Sequence, residues 1–137
     1  MIKAIAVTCI FFTFLLTGCA PSTFSEMKSS ESIKKKTFIV DENYENVYRR
    51  SLNKAKECFE MGALTAAFVA DGQLYSNSNE GELTVYLIGG MGKSMIHGAT
   101  FKDIGNQKTE MKLYTYWSEK YIDKMKRLFT GEAINCE

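Results

Sequence analysis

The sequence predicts an α+β domain, a two-layer sandwich in which an antiparallel sheet of four or five strands is flanked in sequence by an N-terminal and a C-terminal helix. Apolar residues fall at helical spacing from Tyr44 and again from Tyr121. Between these two helices, segments of alternating apolar residues are separated by polar or glycine-rich turns. Two amphipathic helices need a common apolar surface, and one face of a meander of strands supplies it.

The first helix is preceded by a short apolar run, Thr37-Phe38-Ile39-Val40, which indicates an edge strand. Asp41 and Asn43 are both suitable N-cap residues. We therefore expect the helix to begin at Tyr44 and to end near Gly62, a suitable C-terminal cap.

The strands are expected to follow this helix as a meander. Strands are predicted over 65–70, 73–75, 83–88, 95–101 and 111–117. Their connections, in the same order, are a hairpin turn at Asp71-Gly72, a polar loop over 76–81, a turn over 89–92 and a turn over 103–107. One face is expected to carry Met95, His97, Ala99 and Phe101, and then Met111, Leu113, Thr115 and Trp117, with Lys112, Tyr114 and Tyr116 on the other face.

The closing helix is expected to carry its apolar stripe from Tyr121 to Phe129. Ser118 is a candidate N-cap, and Trp117 and Ile122 are spaced as a hydrophobic staple. Gly131 is the expected C-terminal cap.

The N-terminus has the three parts of an export signal. A basic start at Lys3 is followed by an apolar run from Ala4 to Leu16, which is shorter than the roughly 20 residues of a spanning helix. Leu16-Thr17-Gly18-Cys19 then resembles the lipobox of bacterial lipoproteins. This resemblance implies that the Cys19 thiol takes a diacylglyceryl group and that the chain is cut just before it. An ordinary signal peptide with an incidental Cys19 is the alternative.

The lipobox divides the chain into a signal peptide over 1–18, a lipidated flexible tether over 19–37 and a single α+β domain over 38–137. The tether is predicted because 21–36 is rich in Ser, Lys and Glu and poor in apolar residues. This layout is similar to that of small envelope lipoproteins of unknown function. Ala20 stands where an Asp would resemble the inner-membrane retention signal of enteric bacteria, so the resemblance implies an outer-membrane lipoprotein facing the periplasm.

The cysteines and the charge fit an exported protein. The chain has 17 Lys and Arg against 16 Asp and Glu, and removal of Lys3 with the signal leaves 16 of each. A neutral balance argues against nucleic acid as a partner. Cys58 and Cys136 remain as an even pair, and we expect a disulfide in an oxidising compartment. A metal site is not expected, because the pair has no C-x-x-C spacing and the chain has one His.

Two segments resemble sites of catalysis or nucleotide binding but lack the residues those sites need. Gly92-Lys93-Ser94 resembles the end of a P-loop, but Leu87 stands where the pattern needs a Gly, so we expect a hairpin turn and no nucleotide or other cofactor. The single histidine, His97, could act as a general base. No local motif places an acid or a nucleophile beside it, so we expect no catalytic residues and a place for His97 within the sheet.

Tyrosines are the remaining candidates for a binding surface. Tyr86, Tyr114 and Tyr116 are predicted on the sheet face opposite the core, where they form either a binding face or ordinary cross-strand pairs. The expected function is a non-enzymatic, lipid-anchored module that binds another envelope component, most simply a protein. The alternative is an enzyme, or an enzyme inhibitor with 76–81 as its reactive loop, acting on periplasmic or cell-wall substrates.

Overall fold

The computed structural model describes residues 20–136, which form three helices and one six-stranded antiparallel sheet. In chain order the elements are α1 (Phe24–Ser29), β1 (Lys34–Val40), α2 (Tyr44–Phe59), β2 (Met61–Ala63), β3 (Ala66–Tyr75), β4 (Glu80–Gly89), β5 (Gly92–Asp103), β6 (Thr109–Thr115) and α3 (Lys120–Phe129). The strands lie in the order β1-β6-β5-β4-β3-β2. The α+β class is confirmed, with one more helix and at least one more strand than expected.

The main core lies between one face of the sheet and the two long helices. Val47 of α2, Phe129 of α3 and Phe101 of β5 are fully buried in it. α2 begins where predicted, because Asn43 Oδ1 accepts a hydrogen bond from the Glu45 N–H at 2.9 Å. It ends at Phe59, so the expected cap at Gly62 is wrong, and Gly62 lies in β2.

The hairpin turn predicted at Asp71-Gly72 is also wrong, since β3 runs straight through both residues. A side chain at Gly72 would place its Cβ 2.7 Å from Tyr48 Oη of α2. The missing side chain lets the helix approach the strand closely. Gly72 therefore serves helix packing, and the turn signal of the dipeptide is overridden.

A β-bulge changes the side-chain alternation along β5. Val85 pairs with His97 while Tyr86 pairs with Met95, so Ile96 is an extra residue on β5. His97, Ala99 and Phe101 are buried on the core side as predicted. Met95 faces the opposite side, contrary to prediction, because the bulge shifts the two-residue period by one.

The segment expected to be a flexible tether is part of the fold, so that prediction is wrong over most of its length. Thr23 and Glu26 form a capping box that starts α1: the Glu26 N–H donates to Thr23 Oγ1, and the Thr23 N–H donates to the Glu26 carboxylate. Phe24, Met27 and Ile33 are buried in a second apolar cluster on the other face of the sheet. These three residues supply enough apolar surface to order a segment that is otherwise polar.

The closing helix differs from prediction at its start and agrees at its end. Glu119 occupies the N-cap without a side-chain capping bond, so the expected cap at Ser118 is wrong. Gly131 follows the helix with a φ of 85°, the left-handed conformation expected of a C-terminal glycine. Within residues 20–136, no helix has the length and apolar character needed to cross a membrane.

Candidate binding pocket around His97

The three predicted tyrosines do not form one exposed surface. Tyr86 and Tyr114 lie on the sheet face opposite the main core, but Phe24 of α1 packs edge-on against Tyr114 with ring centroids 5.5 Å apart and buries it. Lys93 Nζ lies 3.7 Å from the centroid of the Tyr86 ring. Tyr116 is exposed beyond the end of β6. Of the two alternatives for these tyrosines, a single open aromatic face is not formed, because α1 covers part of this side of the sheet.

Cys58 and Cys136 are paired as predicted, with their sulfur atoms 2.07 Å apart. Cys58 lies near the end of α2, so the bond holds the C-terminal tail against that helix. Lys124 of α3 holds the same tail, because its Nζ donates a hydrogen bond to the Cys136 carbonyl at 2.6 Å. Cys19, the predicted lipidation site, lies outside the described residues.

A pocket of about 160 Å³ opens beside this disulfide. Its volume is close to that of engineered apolar cavities, about 150 Å³, that bind a single benzene ring. The walls are mainly aromatic and apolar, and come from α2, from α3, from β2–β5 and from the segment that follows β6. The lining residues are Cys58, Phe59, Met61, Phe68, Val85, His97, Trp117, Tyr121, Lys124 and Cys136.

His97 is the most deeply buried polar group of this pocket, with 1% of its surface exposed. Three rings surround the imidazole. Tyr121 stacks on it at 5.6 Å between centroids, Trp117 stands perpendicular to it at 4.8 Å, and Phe59 is tilted at 5.1 Å. The β-bulge keeps His97 on the same sheet face as the helices that supply two of these rings.

The hydrogen bonds of Thr115 favour one tautomer of His97. Thr115 Oγ1 accepts from the Trp117 backbone N–H at 3.0 Å and lies 2.9 Å from His97 Nδ1. Because Nδ1 is the only acceptor among the described residues that is paired with the Thr115 hydroxyl, we assign the hydroxyl as the donor of this bond. A neutral imidazole that accepts at Nδ1 carries its proton on Nε2. Nε2 is buried and has no hydrogen-bond partner among residues 20–136, so the imidazole that lines the pocket carries a buried, unpaired N–H.

Burial keeps this imidazole neutral. Desolvation, together with the smaller effect of the positive charge of Lys124, lowers the pKa of His97 from 6.5 to about 4. Among residues 20–136, Lys124 is the only charged residue that lines the pocket, and no acidic residue of this range does. Since a general base near neutral pH needs a pKa close to that pH, His97 is better suited to donate a hydrogen bond than to transfer a proton.

The lowered pKa predicts a pH-dependent stability. The unfolded state binds a proton at His97 below about pH 6.5, whereas the folded state binds one only below about pH 4. The neutral imidazole therefore makes its full contribution to the unfolding free energy above pH 6.5, and this contribution is lost as the pH falls towards 4. The loss amounts to about 3 kcal/mol at most. Urea unfolding of the wild type and His97→Phe between pH 7 and 4 measures it. The unfolding free energy of the wild type should fall more steeply than that of His97→Phe as the pH decreases from 6.5 to 4. If the two unfolding free energies changed in parallel with pH, the buried neutral imidazole would be contradicted.

The other segments considered for chemistry are structural in the described chain. Gly92 and Lys93 open a strand rather than a helix, and Lys93 pairs with Ile88, so the predicted hairpin is confirmed. No group of three or more His, Cys, Asp or Glu side chains that could hold a metal ion occurs within residues 20–136.

The pocket itself was not predicted from the sequence. His97 was placed within the sheet, which is correct, but Trp117 was assigned to a helix staple. The usable signal is the pair Trp117 and Tyr121, which are four residues apart: Trp117 follows the strand that pairs with β5, and Tyr121 lies in the first turn of the closing helix. Comparison with protein-family models gives no match, and comparison with curated proteins gives none either.

Proposed function

We propose that this chain is a lipid-anchored, non-enzymatic protein of the cell envelope that binds another envelope component through the pocket around His97. The anchor is the lipid on Cys19, and the location is the outer membrane, facing the periplasm. The buried, unpaired Nε2–H of His97 inside an aromatic pocket carries the binding half of this proposal. An unsatisfied buried donor is unfavourable by about 1–3 kcal/mol, and a ligand that accepts from it removes this penalty.

The residues that line the pocket are better suited to binding than to catalysis. The part of the chain that the structure describes places no carboxylate in the pocket to orient His97, and both cysteines in the pocket wall are joined to each other. The Thr115 hydroxyl is occupied by its bonds with Trp117 and His97, so it is not poised to attack a substrate. The pocket therefore offers shape, aromatic surface and one hydrogen-bond donor.

These properties favour a single ring or a short apolar group that carries an acceptor oxygen. Aromatic cages also bind quaternary ammonium ions through their ring faces. A cation is disfavoured here because Lys124 places a positive charge in the wall and His97 presents a donor. The same group can belong to a small molecule or to a side chain of an envelope protein.

The proposal is tested by site-specific photocrosslinking in the producing cells. Met61 is exposed and lies in the pocket wall, so a photoreactive amino acid at position 61 should form an adduct with the bound component. Ile39 on β1 is similarly exposed and does not line the pocket, so position 39 is the matched control. The mass of the adduct identifies the class of the captured component.

The pocket variant decides whether the capture is specific. Adding Trp117→Ala should abolish the adduct at position 61, whereas Tyr116→Ala, next to it but outside the pocket, should leave it unchanged. An adduct that also forms at position 39, or that survives Trp117→Ala, would show that the pocket is not the binding site.

A further inference from the structure

Two hairpin turns lie side by side at one end of the sheet. The β2–β3 turn consists of Leu64-Thr65 and the β4–β5 turn of Gly90-Met91. The flanking residues form one row across four strands, because Ala66 pairs with both Ala63 and Gly89, and Gly89 pairs with Gly92. With strands about 4.8 Å apart, the two turns are about 10 Å apart. We refer to this end of the sheet, with the turns 64–65 and 90–91, as the hairpin end.

The hairpin end exposes large apolar side chains at its tips. Leu64 and Met91 are fully exposed, and Met61 and Ile88 are exposed beside them. The first hairpin, 61–70, carries no charged residue, and the second, 86–96, carries only Lys93. Exposed apolar tips with almost no charge around them are unusual on a surface that faces only water.

Pro21, near the first of the described residues, also lies close to this end. The Pro21 carbonyl accepts a hydrogen bond from the Met95 N–H at 2.8 Å, and Met95 lies three residues along β5 from Gly92. Three strand residues span about 10 Å. The two residue steps from Cys19 to Pro21 extend at most about 7 Å. Because α1 is packed on the sheet, a lipid on Cys19 would hold the hairpin end next to the bilayer without a long tether.

Two exposed aromatic residues lie towards the same end of the sheet. Tyr116 and Trp117 are exposed, and the Tyr116 N–H donates to the Ile96 carbonyl, which places them towards the same end. The exposed lysines over 34–36 lie further from the tips, because Lys34 pairs with Thr115 and Thr115 pairs with His97, five residues along β5 from Gly92. Lys36 is paired with Asp123 at 3.5 Å.

We propose that the hairpin end docks on the lipid bilayer, with Leu64 and Met91 reaching below the headgroups. This inference rests on the lipid anchor at Cys19 in the proposed function. Tyr and Trp are favoured at the level of lipid headgroups. A bilayer explains the apolar tips, the aromatics beside them and the position of Pro21 next to this end together. A protein partner would account for the apolar and aromatic residues but not for the position of Pro21.

Docking in this orientation determines where the pocket opens. Met61 and Trp117 lie both in the pocket wall and towards the hairpin end, so the pocket opens near the headgroups. The bound component would then enter from the membrane surface rather than from the open periplasm.

Spin-label accessibility tests the docking on the full chain purified from cell membranes. Nitroxide labels on Leu64→Cys and Met91→Cys report the two tips, and Ile104→Cys reports an exposed turn at the opposite end of the sheet. All three side chains are exposed, so these changes leave the packed core intact. Each protein is reconstituted into vesicles of phosphatidylethanolamine and phosphatidylglycerol, after mass spectrometry of its acylation state. The collision rate of each nitroxide label with oxygen is then compared with its collision rate with a water-soluble nickel chelate.

Labels at 64 and 91 should show an oxygen-to-nickel ratio several-fold higher than the label at 104, since oxygen concentrates in the acyl region. Equal ratios at all three sites in an acylated protein would overturn the docking while leaving the anchor intact. Labels at 64 and 91 shielded from both reagents would indicate a protein partner or a second copy, and would overturn it as well. An unacylated protein would instead refute the anchor, and the docking inference with it.

Discussion

A chain that begins at Lys36 should lose on the order of 5 kcal/mol of unfolding free energy, because it lacks three buried side chains that each contribute about 1.5–3 kcal/mol. These are Phe24, Met27 and Ile33, which form the second cluster with Met95 and Tyr114. Such a loss is comparable with the whole stability of a typical small domain, about 5–15 kcal/mol. The shortened chain should therefore melt non-cooperatively or far below the full domain.

The matched control is a chain that begins at Ala20, which keeps the capping box and all three side chains. It should unfold in urea with the same midpoint and slope as the acylated protein. If the chains that begin at residues 20 and 36 had equal midpoints, α1 would contribute nothing to stability and the segment would be the flexible tether that its composition suggests.

Removing the disulfide should have the second large effect. Cys58 and Cys136 are 78 residues apart, so their bond restricts a long loop of the unfolded chain. Replacing both with Ser should lower the unfolding free energy by about 2–5 kcal/mol. It should also loosen the tail that walls the His97 pocket, which would then be held by the Lys124 bond to the carbonyl of residue 136 and by the packing of Ile134 on the core.

Reduction of the wild type provides the control for this variant. Urea unfolding of the reduced wild type and of the double Ser variant should give the same midpoint, well below that of the oxidised wild type. Equal midpoints for the oxidised and reduced wild type would show that the bond contributes no stability.

The sequence predicted those parts of the fold in which local signals and tertiary packing agree. The start of α2 at Asn43, the alternating faces of β6 and the cysteine pair are of this kind. Each depends on a pattern that the surrounding structure reinforces: a cap, a two-residue period or an even cysteine count.

The errors arise where a long-range contact overrides a local signal. Asp71-Gly72 lies inside β3 because Tyr48 packs over Gly72, a contact 24 positions away in the chain that no local pattern reveals. The average polarity of 21–36 concealed Phe24, Met27 and Ile33, which are too few to change the composition but enough to order the segment. Composition therefore underestimated how closely the domain follows Cys19.

The pocket escaped prediction for a related reason. His97, Trp117 and Tyr121 lie in two segments that meet only through the pairing of β5 with β6. The bulge at Ile96, which aligns His97 with the core side, has no sequence signature of its own. Register and bulges follow from the whole sheet, and a sequence pattern constrains them weakly.

The account rests on the lipid at Cys19, and mass spectrometry of the protein from the membrane fraction of its own cells tests it most directly. The N-terminal peptide should begin at Cys19 and carry a diacylglyceryl group on the thiol, with or without an acyl group on the amine. Cys19→Ser should leave an uncut, unlipidated precursor. A wild-type protein with a free amine at any other residue would contradict the anchor and the function built on it.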